Sequence, residues 1–211
     1  MCVDSSVVNP GNPMEEIFII TVVLVFSPLL VGGCGSAKYT PPVVVHNTRT
    51  SLSRVFDHPF DSTWLSVIQY VGTSPFHIDH FEKASGLVTL SFASTNPSEL
   101  ITGGHLESKG KHAFSGDYVD FLVGEADGFL QGSVNIIVMN AGINTTRVTV
   151  KATYNFTATM PEDGTYTWSF DTGGSDTRIV TNGLSSSCDT VTMVPTSRTE
   201  HVILDEIAKI Q

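Results

Sequence analysis

Basic residues are scarce. Eleven Lys and Arg stand against twenty-one Asp and Glu, a net charge of −10. Phosphate binding rests on Lys and Arg, so this balance excludes a dedicated nucleic-acid binder. Charged residues of both signs make up only 15% of the chain and hydrophobic ones 41%. That composition excludes a disordered chain, a collagen and a coiled coil. Three cysteines, Cys2, Cys34 and Cys188, are too few for a disulfide scaffold. The length of 211 residues allows one domain, or two small ones.

One long hydrophobic run is present. Residues 17–31 read IFIITVVLVFSPLLV. That is short of the ~20 residues a membrane span needs, and Pro28 argues against a regular span. It suits the apolar core of a signal peptide. The run ends in Val31-Gly32-Gly33-Cys34: an apolar residue at −3, small residues at −2 and −1, then cysteine. This resembles the lipobox of bacterial lipoproteins. The resemblance implies cleavage before Cys34, a diacylglycerol on its thiol and acylation of the new amino group. Gly35 follows where an Asp would hold such a protein at the inner membrane, which implies the outer membrane, facing the periplasm. The segment departs from the pattern in having no Lys or Arg before Lys38. Translation from Met14, and an uncleaved anchor helix with an incidental Cys34, stay open as alternatives. Cleavage would remove Asp4, Glu15 and Glu16 and leave all eleven basic residues, so the exported part stays acidic.

The expected organisation is a signal peptide over 1–33, a lipidated tether over 34–45 and one domain over 46–211. A short strand is predicted at 54–57. Asp61 or Ser62 could cap a helix with Trp64, Leu65, Ile68 and Val71 at helical spacing, ended by Gly72. Strands follow at 76–79 and 87–92, the second with Val88, Leu90 and Phe92 on one face. Residues 93–116, polar and Gly-rich, read as a long loop. Strands are predicted at 117–123 and 134–139, the latter turned back by Asn140, Ala141 and Gly142. Residues 146–159 alternate strictly: Val148, Val150, Ala152, Tyr154, Phe156 and Ala158 against Arg147, Thr149, Lys151, Thr153, Asn155 and Thr157. That is a long antiparallel strand with one buried face. A turn at 161–164 should pair it with 165–170, burying Trp168. Residues 171–189 read as loop with an edge strand at 178–181. Ser197 and Glu200 fit a capping box opening a final helix with Ile203, Ile207 and Ile210 on one stripe, widened by Val202. The fold class expected is α+β: a curved antiparallel sheet packed with a helix from its first half and a C-terminal helix.

The run FDHPFDSTWLSVIQYV, followed by PFHIDHFEKASGLVTLSF, resembles a pattern of Gram-negative envelope lipoproteins. In these an aromatic-Asp pair leads into a Trp-containing helix, a strand, a Ser-Gly turn and a second strand. Domains of the BamC lipoprotein of the outer-membrane assembly machinery have a comparable helix-grip shape. Phe60, Trp64 and Gly86 match as packing and turn positions. The resemblance implies fold only, since function resides in sites rather than folds.

Groups able to carry chemistry are dispersed. His77 and Asp79 share a strand face, with His80 on the other, giving two zinc ligands at best. His105, Glu107 and His112 sit with Lys109 and Lys111 in the polar segment. Asp117, Asp120, Glu125 and Asp127 lack the spacing of a calcium loop. Asp171-Thr-Gly resembles the aspartic-protease triplet but occurs once, where that chemistry needs two carboxylates. Cys188 would need a base such as His201. Asn144 and Asn155 head glycosylation sequons, without meaning in a bacterial chain. No catalytic, cofactor or metal site is assigned; the single assigned site is lipidation at Cys34. The expectation is a non-catalytic, lipid-anchored binding component of envelope assembly or maintenance, with an envelope protein as partner and no nucleic acid. A binder of a small apolar or lipid-like molecule is the alternative, its cavity lined from Phe56, Phe60, Trp64, Phe92, Tyr154, Phe156, Tyr166 and Trp168. A cell-wall-acting enzyme is the third reading.

Overall fold

The structure is a computed structural model and describes residues 37–44, 51–109, 113–160, 164–180 and 189–211. Gly35–Gln211 forms one compact unit; residues 1–34 lie outside the described residues. The chain runs β1 (Ala37–Thr40), β2 (Leu52–Phe56), α1 (Phe60–Thr73), β3 (His77–Glu82) and β4 (Leu87–Ser94). A 3-10 turn (Pro97–Glu99) leads to β5 (Ile101–Thr102), β6 (His105–Ser108), β7 (Phe114–Asp117) and α2 (Tyr118–Glu125). Then come β8 (Phe129–Gly142), β9 (Thr145–Met160), β10 (Gly164–Asp171), β11 (Asp176–Val180), β12 (Asp189–Pro195) and α3 (Arg198–Ile210).

The main sheet is antiparallel, in the order β10-β9-β8-β4-β3, with β2 added beside β9. Strand β9 organises it. One edge pairs with β8; the other is shared, β2 taking 146–150 and β10 taking 153–160. Every even residue of β9 from Thr146 to Ala158 is buried, as a period of two demands where one sheet face is covered. Helices α1 and α3 pack on that face with Trp64, Val67, Val71, Ile203 and Ile207. The fold is thus α+β, an antiparallel sheet covered by helices. Two small sheets, β1-β6-β7 and β11-β12-β5, complete it. Trp168 joins β10 to the second of these: its buried indole N–H donates to the Val191 carbonyl at 3.3 Å. Arg54 ties β2 to α3, donating to the Leu204 carbonyl at 3.1 Å and to Asp205 Oδ1 at 2.6 Å. That hydrogen bond holds the Asp205 carboxyl below the usual carboxylate range.

The hairpin of β9 and β10 forms as expected, with Trp168 opposite Phe156 and both buried with Tyr154; its turn residues 161–163 lie outside the described residues. Val88 and Leu90 are buried as expected, and Phe92, on the same face, is partly buried. Gly86 has a left-handed backbone, and a Cβ there would stand 2.1 Å from the Val138 carbonyl oxygen. This turn therefore requires glycine.

Several expectations are corrected. Helix α1 starts one residue before Asp61, behind Pro59, and ends at Thr73 rather than Gly72. Leu65 is exposed and Tyr70 is buried in its stead. Residues 37–40, placed in the tether, form β1, and the Tyr39 hydroxyl donates to the Gly103 carbonyl at 2.8 Å. The long loop at 93–116 contains β5, β6 and β7, too short for a periodic signal. The strand expected at 117–123 is helix α2. Asp117 caps it, accepting from the Val119 N–H at 2.8 Å, and Tyr118, Val119, Phe121 and Leu122 are buried at helical spacing. Strand β8 runs through Asn140–Gly142 instead of turning there. Ser197, in a left-handed conformation, makes no side-chain cap, and Glu200 turns inward instead of closing a capping box. Val202 is 43% exposed, and Leu204 takes its place on the buried stripe.

Ile207→Ala should cost about 2–5 kcal/mol, because its side chain is fully buried. Val202→Ala on the same helix should stay within about 0.5 kcal/mol. Urea unfolding of the two variants checks both.

Candidate functional site

The dispersed groups stay dispersed. A bulge in β3 follows Ile78, so that His77 lies opposite Ser91 and His80 opposite Thr89. His80 therefore returns to the face of His77 instead of opposing it. Even so, His77 Nε2 is 3.9 Å from Asp79 Oδ1, both are solvent-exposed, and Asp79 accepts a hydrogen bond from Ser91 at 3.0 Å. His105 and Glu107 are exposed on β6; His112 and Lys111 lie outside the described residues, as do Cys34 and Cys188. Asp117 serves as the α2 cap, and Asp171, the last residue of β10, pairs with Lys151 at 2.7 Å. Among the described residues no group of three His, Cys, Asp or Glu could hold a metal ion.

Two features emerge instead. The first is a buried polar group at the start of α3. Glu200 is fully buried. Its Oε2 accepts from the Tyr154 hydroxyl at 3.1 Å and its Oε1 from the Thr172 hydroxyl. Thr172 Oγ1 in turn accepts from the Ala152 N–H at 2.8 Å. Burial, and next the Glu200 charge, push the Tyr154 phenol far up, so it remains a donor. No basic side chain among the described residues pairs with Glu200. Its two hydroxyl donors are what make its burial tolerable.

The second feature is a cleft of about 340 Å³ beside this group. The end of α1 supplies Tyr70 and the residues after it Phe76; β4 supplies Phe92; Leu100 and Val202 close the other side. The Phe76 and Phe92 rings meet edge to face at 5.9 Å, and Phe92 meets Tyr154 likewise at 5.9 Å. Arg198 and Glu99 stand on the wall 3.6 Å apart. Burial, then Glu206, push the Tyr70 phenol up to about 12. The size and the apolar lining with few polar groups are those of a small-molecule site. Of the aromatic residues expected to line a cavity, Phe92 alone lines this cleft; Trp64, Tyr154, Phe156 and Trp168 are packed core.

Glu200 was missed although its signal is present. It stands three, four and seven residues before Ile203, Leu204 and Ile207, on the buried stripe itself. The cleft left no such signal, since its walls come from four separated segments. Compared with protein-family models, curated proteins and solved structures, the chain matches none.

Glu200→Ala should cost about 3 kcal/mol in urea unfolding, from the cavity and the two orphaned hydroxyls. The tyrosines add a pH dependence. Tyr70 and Tyr154 have raised folded-state pKa values, so their contribution is complete below the unfolded value near 10 and falls as pH rises from there towards 12. Stability should thus decline above pH 10, and less so in Tyr70→Phe. A Tyr70→Phe variant as alkali-sensitive as wild type would contradict this.

Proposed function

We propose that the chain is an exported lipoprotein, anchored through Cys34 in the outer membrane and facing the periplasm. It acts there as a non-catalytic binding component of envelope assembly or maintenance. The observation that carries this reading is the apolar run 17–31 ending in Val31-Gly32-Gly33-Cys34. No helix among the described residues is long and apolar enough to cross a membrane; in this reading the attachment is lipid on Cys34. Only Gly35 and Ser36 separate Cys34 from β1. Three residue steps reach at most about 11 Å, so an anchor on Cys34 would hold the β1-β6-β7 sheet near its lipid. Two or more acyl chains give stable attachment.

A second reading has its own observation. The 340 Å³ cleft favours a binder of a small apolar or lipid-like molecule, a role compatible with the same anchor.

Mass spectrometry of the protein purified from membranes tests the anchor. The expected N-terminus is a diacylglyceryl-modified Cys34, and Cys34→Ala should abolish incorporation of labelled palmitate. An intact leader with an unmodified Cys34 thiol would refute the reading.

A further inference from the structure

The face of the main sheet turned away from the helices carries a second depression, of about 520 Å³. His77, Ser91, Gln131, Ser133 and Asn155 line it, and no Lys, Arg, Asp or Glu does. The lining is rich in uncharged donors and acceptors. Asn155 Oδ1 accepts from the Ser169 hydroxyl at 2.8 Å, which leaves its amide N–H groups as donors. The Ser91 hydroxyl donates to Asp79 and keeps its lone pairs. Neither Gln131 nor Ser133 has a side-chain hydrogen bond among the described residues. No Lys or Arg lines the trough to hold a phosphate or sulfate, and the nearest carboxylate, Asp79, stands behind Ser91 and accepts its hydrogen bond. A hydroxylated, uncharged group suits the lining, since each hydroxyl both donates and accepts.

This trough and the apolar cleft share three lining residues, Pro75, Phe92 and Ala93. The sheet explains why they meet. The last pair between β3 and β4 is His77 with Ser91, whereas β4 continues beside β8 through Ser94. Residues 92–94 therefore form a bare edge, around which one face of the sheet passes into the other. We propose that cleft and trough form one site for an amphiphile with an uncharged, sugar-like head. The head lies among Ser91, Gln131, Ser133 and Asn155, and the apolar tail lies between Phe76, Leu100 and Val202. The ligand bends around the β4 edge at Phe92. Both volumes fall in the range of small-ligand sites. This inference rests on the second reading above, that the cleft takes an apolar molecule, and adds the head-group class.

The test uses the full-length protein in lipid nanodiscs and two photoreactive octyl glucosides, one with a diazirine at the tail end and one with it on the sugar. The tail probe should label peptides holding Phe76, Leu100 or Val202. The sugar probe should label peptides holding Gln131 or Ser133. Both should saturate and be displaced by unlabelled octyl glucoside, but only weakly by octanol. Val202→Glu should weaken half-saturation of both probes by about tenfold or more. Gln131→Ala should weaken the sugar probe, with thermal unfolding of both variants as the check on folding. Tail labelling in the cleft without saturable sugar labelling in the trough, or equal displacement by octanol, overturns the joint site and leaves the apolar cleft standing. Absence of saturable tail labelling in the cleft overturns both. Undiminished labelling in folded Val202→Glu and Gln131→Ala also overturns the joint site.

Discussion

Strand β9 is hydrogen-bonded along both edges and buried at every second residue, and the main sheet is assembled around those two facts. Its alternation leaves one choice of face for the helices. Its length exceeds that of either β2 or β10, so one edge has room for both in tandem. Strand β8 follows the other edge and passes the alternation on to β4, where Val88 and Leu90 continue the buried face. A slip of one residue in β9 would expose Val148, Val150, Tyr154 and Phe156 together, so the register is strongly specified. Thr146 closes the end of this face by donating to the His58 carbonyl at 2.8 Å, just ahead of α1.

Legibility in the sequence follows the length of the periodic signal. The β9–β10 hairpin was readable because its alternation runs through many residues and ends in Pro and Gly. Helix α3 was readable from its isoleucines. The region from Ala93 to Asp117 was not, because strands of two to four residues carry no period and gain their order from partners far along the chain. Helix α2 was misread for a different reason. Val119, Phe121 and Val123 alternate with Tyr118, Asp120 and Leu122, so a strand fits eight residues as well as a helix does. The decision is made by Asp117, whose carboxylate also accepts from the Gly103 N–H at 3.0 Å and so joins the helix start to the chain after β5. The cleft and trough were illegible because they arise from a difference in strand length, β4 outrunning β3, and no single segment records that difference.

That same mismatch sets the character of the candidate site. A sheet that ended flush would have an apolar face and a polar face with no route between them. Where β4 has β8 on one side and no β3 on the other, the two faces share Phe92 and Ala93, and an environment changes from apolar to hydroxyl-lined within the width of one strand. Tyr154, which meets the Phe92 ring, is tied through Glu200 to α3 and to Thr172 by hydrogen bonds. Positioning from beneath by satisfied hydrogen bonds favours a preformed site over one that closes on its ligand.

The pairing of β2 with residues 146–150 also dictates an order of events for a chain that is synthesised N-terminus first. Strand β2 and helix α1 emerge early, yet the strand that β2 pairs with lies about ninety residues later. Strand β1 likewise waits for β6. Until β9 arrives, Phe56, Trp64 and Val67 have no sheet to cover and remain exposed to water. Such late, long-range closure is slow and leaves apolar surface open to association meanwhile. A chain of this topology therefore carries exposed apolar surface during the interval between the emergence of its first helix and that of its central strand.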